Sequence, residues 1–144
     1  MFGEIVHHGL AVEYFEAFDV CVFRLCGTIL PEDVVAASLK EAMAHPTSTR
    51  LWDLSAASFD GWSEARLRSL VRSLAPTVLC ASGMRVALVS ANAEGARICL
   101  FLKRLVGAQG FPVTVEAFSS RTLALDWLGV MHVPVGHVAP ATWT

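Results

Sequence analysis

The sequence has few charged residues, and it also lacks a long apolar run. Charged residues make up 17% of the 144 positions and apolar residues 54%, compared with about 25% and 45–50% in an average soluble domain. No stretch of about 18 apolar residues is present that could span a membrane. The N-terminal segment MFGEIVHHGL has neither the basic start nor the apolar core of a signal peptide. We therefore expect a cytoplasmic protein whose apolar residues form a dense core, a subunit interface or a ligand cavity.

The sequence also lacks an excess of basic residues and any CxxC pair. Its formal net charge is −2, which argues against a nucleic-acid-binding protein. Cys21 and Cys26 lie five residues apart in an extended run, where they point to opposite faces and cannot bind one metal ion together. We expect these two, with Cys80 and Cys99, to be reduced and mostly buried. No motif in the sequence calls for a cofactor.

Apolar strand-like runs alternate with amphipathic stretches along the chain. We predict five strands, at Leu10–Phe15, Val20–Ile29, Arg50–Leu54, Met84–Ser90 and Val113–Phe118. We predict four helices, from Pro31 to His45, from the N-cap Ser63 to Leu74, from Glu94 to Ala108, and from the cap Ser119 to Leu128. Residues 1–128 then form one domain, and residues 129–144, which have no periodic pattern, form an extended tail.

The order of these elements predicts the fold class. Three successive strand–helix–strand units require a mostly parallel sheet, and the short turn EAFD pairs the first two strands as an antiparallel hairpin. The prediction is therefore an α/β domain with a mixed sheet of about five strands in the order ββαβαβαβα. Ligands usually bind such sheets at the carboxyl ends of the parallel strands. In this sequence those ends are Gly27–Thr28, Asp53–Ser55, Ser90–Asn92 and Phe118–Ser120.

Helical spacing predicts which side chains of each helix face the core. In the first helix the inward side is predicted to carry Val35, Leu39, Ala42 and Met43. The outward side of the same helix is predicted to carry Ser38, Lys40 and Glu41. The inward sides of the second and third helices are predicted to carry Leu67, Leu70, Val71 and Leu74, and Ile98, Leu102, Leu105 and Val106. The last helix is predicted to bury Leu123, Ala124, Trp127 and Leu128.

An ordered set of short segments resembles the STAS family, and more closely the SpoIIAA-like proteins grouped with STAS and SEC14-type domains. The set consists of Cys26–Ile29, Leu51–Leu54, Arg85–Val89, Val115–Phe118 and Ala124–Leu128, and the likeness covers roughly residues 10–128. The resemblance implies a regulatory or binding domain. Opening of a helix, membrane association and apolar ligand binding are properties that it suggests for this group.

The sequence departs from the STAS pattern at the loop that carries the family's phosphorylated serine. In the antagonists of this family that serine follows an aspartate at the start of the second helix. Asp60 matches the aspartate, but Gly61 stands in place of the serine and has no hydroxyl to phosphorylate. Ser63 lies close by, either as the N-cap of the second helix or as a displaced acceptor. The usual serine switch is therefore not expected to operate at this position.

The loop from Asp53 to Ser63 and the two helices after it form the predicted binding surface. Phe59 and Trp62 either mark a contact surface or pack onto the domain's own core. Basic residues on the two helices either contact an acidic protein or lipid surface or form an ordinary solvated face. Leu100 is a large apolar residue on the side of Arg97 and Arg104. The predicted partner- or ligand-binding residues are Asp53, Phe59, Asp60, Trp62, Ser63, Arg66, Leu100 and Arg104.

No pattern of catalytic residues stands out in the sequence. It has no nucleophile elbow, and the segment SANAEG after the fourth predicted strand is not a phosphate-binding glycine loop. The enzymatic alternative is an acid–base pair of Asp53 and Asp60, if the loop between them folds back. We expect a non-enzymatic binding or regulatory module that acts through protein contact, without a cofactor and as a homodimer. The other hypothesis is a carrier or sensor of a lipid or another apolar small ligand, with peripheral membrane contact.

Overall fold

The structure is a computed structural model that describes residues 5–7, 9–46, 49–76 and 83–130. Within these residues the strands are β1 (Ile5–His7), β2 (Leu10–Phe15), β3 (Val20–Thr28), β4 (Thr49–Ser58), β5 (Arg85–Val89) and β6 (Thr114–Phe118). The α-helices are α1 (Pro31–Ala44), α2 (Glu64–Leu74), α3 (Ala93–Ala108) and α4 (Arg121–Leu128). The predicted strands and helices are all present in the predicted order, and β1 is an additional short strand at the edge.

The six strands lie in the sheet in the same order as in the chain. The pairs β1–β2 and β2–β3 are antiparallel, whereas β3, β4, β5 and β6 run parallel to one another. A 3₁₀ turn over Glu16–Phe18 joins β2 to β3, followed by Asp19 in the left-handed region at φ 52°. These pairings confirm the predicted hairpin and the mixed, mostly parallel α/β sheet.

The helices divide unequally between the two faces of the sheet. Each parallel crossover advances by one strand in the same direction, so right-handed connections place α1, α2 and α3 on one face. Their apolar side chains pack with alternate strand residues such as Phe23 and Trp52, whose stacked rings lie 3.9 Å apart. On the opposite face, α4 packs with the intervening residues, including Val22 and Leu51. This alternation is the period of two that an extended strand imposes.

The helices α2 and α3 bury the side chains that their spacing predicts. The buried residues in α2 are Leu67, Leu70, Val71 and Leu74. Those of α3 include Ile98, Leu102, Leu105 and Val106. Ser63 is the N-cap of α2, since its hydroxyl oxygen accepts a hydrogen bond from the Arg66 backbone N–H at 3.2 Å. Both inward faces and this cap are confirmed.

The predicted orientation of α1 is correct only in part. Ser38 and Glu41 are buried, whereas Met43 is 87% exposed. Val35, Leu39 and Ala42 are only partly buried against the core. The buried side of α1 carries polar residues because other elements supply a partner for Glu41: the thiol of Cys21 on β3 hydrogen bonds to its carboxylate at 3.3 Å.

The buried face of α4 and its N-cap residue also differ from the prediction. Leu125 is buried, Leu123 is 51% exposed, and Trp127 is only half-buried. Ser120 caps the helix instead of Ser119, because the Ser120 hydroxyl accepts the Leu123 N–H at 3.2 Å. The helix turns Ala124, Leu125 and Leu128 toward the second face of the sheet. The predicted tail lies outside the described residues except for Gly129 and Val130, and Val130 packs in that same cluster.

Strand β4 is longer than its apolar run predicts. It continues to Ser58, with Ala56, Ala57 and Ser58 paired to the end of β3 after a register shift between Arg24 and Cys26. The connecting loop therefore covers only residues 59–63, and Asp53 lies within the strand. Because extended backbone from 54 to 58 separates Asp53 from Asp60, the loop does not fold back to bring the two carboxylates together as the acid–base hypothesis requires.

Candidate functional site

A cavity of about 80 Å³ lies between the sheet and the three helices of its first face. Its walls come from β3, β4, β5 and β6 and from α1, α2 and α3, together with Trp62 from the loop before α2. The lining residues are Leu25, Val34, Ser38, Arg50, Trp52, Leu54, Trp62, Leu70, Val71, Leu74, Val86, Leu88, Leu102, Val106 and Val115. All of these except Val115 are buried, and the walls are predominantly apolar.

Two polar side chains, Arg50 and Ser38, interrupt the apolar walls. Each is 1% exposed. The Arg50 Nη2 donates a hydrogen bond to the His45 carbonyl oxygen at 3.3 Å, but its Nε and Nη1 have no hydrogen-bond partner, and neither has Ser38 Oγ. A buried donor without a partner costs about 1–3 kcal/mol. The cavity wall therefore contains hydrogen-bonding capacity that the described residues leave unused.

Burial lowers the pKa of the Arg50 guanidinium, and the neighbouring Cys21, Glu41 and Asp19 partly oppose that shift. Glu41 is itself 5% exposed, and its carboxylate oxygen lies 2.9 Å from His45 Nδ1. It makes no hydrogen bond to Arg50 among the described residues. Glu41 therefore balances the charge of Arg50 at a distance without satisfying its N–H groups.

The aromatic ring of Tyr14 closes the outer side of this polar group. Tyr14 stacks on His45 with ring centroids 3.6 Å apart, and its hydroxyl donates to Asp19 Oδ1 at 2.7 Å. That hydrogen bond, with burial and the Asp19 charge, raises the pKa of Tyr14 to about 12. Burial and then Glu41 raise the pKa of the Cys21 thiol, which stays protonated. These groups hold the backbone of His45 in place against Arg50.

The predicted site residues Phe59 and Trp62 lie in the core. They are 6% and 8% exposed and meet edge to face with ring centroids 5.5 Å apart. The Trp62 indole N–H donates to the Ile29 carbonyl oxygen. Of the two interpretations, both rings therefore pack on the domain's own core and do not form an exposed contact surface. Trp62 also lines the cavity.

The predicted polar residues are distributed over several surfaces. Asp53 lies on the second face of the sheet, where its carboxylate accepts a hydrogen bond from Arg121 at 3.3 Å. Asp60 is exposed in the loop, and Arg66 forms an exposed ion pair with Glu32 at 3.6 Å. Leu100 and Arg104 are exposed on the outer side of α3. Of the predicted residues, only Trp62 contributes to the cavity.

The sequence analysis missed Ser38 and Arg50 as site residues. Ser38 was predicted to face solvent, and Arg50 was treated only as the start of an apolar strand. A usable signal was present, since Arg50, Trp52 and Leu54 alternate along β4 and must share one face. The i, i+4 spacing of Glu41 and His45 was a second signal that polar residues of α1 interact.

Two features are absent from the described residues, a metal-binding cluster and a membrane-spanning helix. No group of three or more histidine, cysteine, aspartate or glutamate side chains within the described ranges is placed to hold a metal ion. No helix in the described part of the chain has both the length and the apolar character needed to cross a membrane. Cys80 and the side chains of the remaining histidines lie outside the described residues.

The chain is similar to solved structures but not to known protein families. No protein-family model and no curated protein matches this chain. Among solved structures, the chain is similar to an uncharacterized protein from the DUF3478 family with a SpoIIAA-like fold, from Shewanella loihica PV-4. The likeness covers 86% of this chain and 97% of that one, at 20% identity and a TM-score of 0.49. A SpoIIAA-like fold is also what the resemblance in the sequence implies.

Proposed function

We propose that this chain is a non-enzymatic binding module that holds a small apolar ligand between its sheet and helices α1 to α3. The observation that carries the proposal is the cavity between sheet and helices, whose walls are apolar apart from Ser38 and Arg50. Each Å² of apolar ligand surface buried there contributes about 25 cal/mol to binding. This is the apolar-ligand alternative of the sequence analysis, and the cavity favours it over protein contact.

The polar residues at the carboxyl ends of the strands support a non-enzymatic role. Asp53 is engaged by Arg121 and by the Ser55 backbone N–H at 3.0 Å. The Asn92 side chain donates to the Ser55 carbonyl oxygen at 3.3 Å and accepts the Gly95 N–H at 2.7 Å. These residues act as loop and helix organisers, which is the ordinary role of such side chains.

The size of the cavity limits the ligand. A cavity of roughly 150 Å³ holds one benzene molecule, and the volume here is 80 Å³. An apolar group of about three carbon atoms therefore fits without movement of the walls, by proportion to benzene. A longer chain requires displacement of a helix.

Xenon tests the cavity without any polar interaction. We expect xenon to shift the methyl resonances of Leu88 and Leu102 in two-dimensional NMR spectra. The variant Val106→Phe places a larger side chain at the cavity and is expected to abolish these shifts. Leu100→Phe, on the exposed side of the same helix, is the matched control and retains them. The proposal fails if xenon perturbs only surface methyl groups of the folded parent protein.

A second candidate function is protein contact through the outer side of α3, with a second copy of this chain as the partner. Leu100 is 43% exposed, and it lies between the exposed residues Arg97 and Arg104 at helical spacing. Sedimentation equilibrium of the parent protein and of Leu100→Ser tests this contact. We expect weaker self-association of the variant, with Arg72→Ser on α2 as a control that leaves it unchanged. Equal association of all three proteins would exclude this surface.

A further inference from the structure

We propose that the cavity takes its ligand as a carboxylate, with Arg50 and Ser38 binding the head and the apolar walls holding a short body. This inference rests on the proposed function, because it names the chemical class of ligand for the same cavity. The proposed function rests on the apolar space of the cavity, whereas this inference rests on the unpaired polar atoms of two buried side chains.

The donors available in the wall match an acceptor group. The Nε and Nη1 atoms of Arg50 carry three N–H groups between them, and none has a partner. Ser38, which also lines the cavity, adds a hydroxyl with no partner. Folded proteins leave few buried polar atoms unpaired. Two such residues, each 1% exposed and lining the same cavity from α1 and from β4, therefore indicate a group that binds there.

The chemistry favours a single negative charge on the ligand. A guanidinium forms its strongest hydrogen bonds with a carboxylate. The only acidic side chain on the buried side of α1, Glu41, is engaged with Cys21 and His45 and gives Arg50 no hydrogen bond. A phosphate would bring two charges into an apolar wall that has one guanidinium and an acidic neighbour, which makes its desolvation more costly.

The fold orients the bound molecule along β4. Arg50, Trp52 and Leu54 alternate on the same face of this strand and all line the cavity. Successive members of this series are about 6.6 Å apart along an extended strand. A carboxylate at Arg50 therefore places its apolar body toward Trp52 and Leu54, with Leu88 on the neighbouring strand beside it.

The test compares two probes that differ only in the head. Acetate and acetone have nearly the same shape, but the ketone has a methyl group in place of the charged oxygen. Both are titrated into the full-length protein and followed by the same methyl resonances used for xenon. We expect acetate to bind about tenfold more tightly or better, since a hydrogen bond to a charged group contributes on that scale. The double variant Arg50→Met/Glu41→Gln removes both buried charges, and we expect it to bind the two probes equally.

Each result decides between the inference and the proposed function. A tenfold preference for the carboxylate that disappears in the double variant, while the ketone still binds, supports the inference. Equal binding of both probes to the parent protein, or xenon binding without binding of either, overturns the carboxylate assignment and leaves the apolar site intact. Failure of xenon and both probes overturns the proposed function itself. Ser38→Ala provides a second measurement if the double variant does not fold, and we expect it to weaken acetate binding more than acetone binding.

Discussion

Polar side chains at the two ends of the parallel strands differ in whether they have hydrogen-bond partners. At the carboxyl end, Asp53 pairs with Arg121 and Asn92 hydrogen bonds to the backbone of Ser55. At the amino end, Arg50 is buried with two nitrogen atoms unpaired in an apolar wall. Polar groups that satisfy one another organise the fold, whereas those left unpaired in a cavity support the proposed ligand site. The proposed site lies at the end of the sheet where α/β proteins do not usually bind ligands.

Removing the charge that balances Arg50 tests the amino end, with the largest expected effect. We expect Glu41→Gln to lower the free energy of unfolding by about 3 kcal/mol, because it leaves a buried cation poorly compensated. Urea denaturation at pH 7 measures the change. The matched control is Glu32→Gln on the same helix, whose side chain is 64% exposed, and its effect should stay within about 0.5 kcal/mol. Equal losses of stability for the two variants would show that Glu41 does not compensate the buried charge of Arg50.

A methyl group added at Gly95 tests how tightly the carboxyl end is packed. Its Cβ would overlap Ser90 Oγ and lie 2.7 Å from Ser90 Cβ. We expect Gly95→Ala to destabilise the protein by about 1–3 kcal/mol, the usual cost of overpacking. At Gly107 of the same helix the added group meets nothing within 4 Å. Gly107→Ala should therefore stabilise the protein by about 1 kcal/mol through helix propensity, and effects of the same sign in thermal unfolding would contradict the comparison.

The buried thiol of Cys99 on α3 reports on the carboxyl end through its pH dependence. Burial, and to a smaller extent the Asp53 charge, raises the pKa of Cys99 from 9.0 to about 12. Above pH 9 the unfolded chain loses this proton while the folded chain keeps it, so stability is present below pH 9 and declines as pH rises toward 12. We expect Cys99→Ala to reduce this slope by up to about 1.4 kcal/mol per pH unit. Parallel curves from denaturation at pH 8.5 to 10.5 would contradict the assignment.

The ion pair of Asp53 and Arg121 should have the smallest effect. Its side chains are 20% and 17% exposed, so solvent screens their attraction, and we expect a coupling of about 0.5–1 kcal/mol. A double-mutant cycle with Asp53→Ala and Arg121→Ala measures this coupling, which should decrease in high salt. A coupling of zero would mean that Asp53 is held by the Ser55 backbone alone.

The sequence predictions are accurate where a structural feature depends on nearby residues and fail where it depends on contacts with other elements. The apolar stripe of α2 was predicted because its buried residues recur every three to four positions, with Ser63 as a local cap. The orientation of α1 was predicted only in part, because its buried side carries Ser38 and Glu41, which hydropathy assigns to solvent. The end of β4 was missed because residues up to Ser58 are extended through pairing with β3 and not through their own apolar pattern.

Sequence periodicity alone specifies the strands, the helices and their order, and with them the mostly parallel sheet, because these depend on spacing within short segments. The folded chain was needed to show that Ser38, Glu41 and Arg50 are buried near one another. A polar side chain is buried only when its surroundings compensate for lost water, and here those surroundings come from β3, α1 and β4. The cavity depends in the same way on how well side chains from separate elements fill the space between them, which no local pattern records.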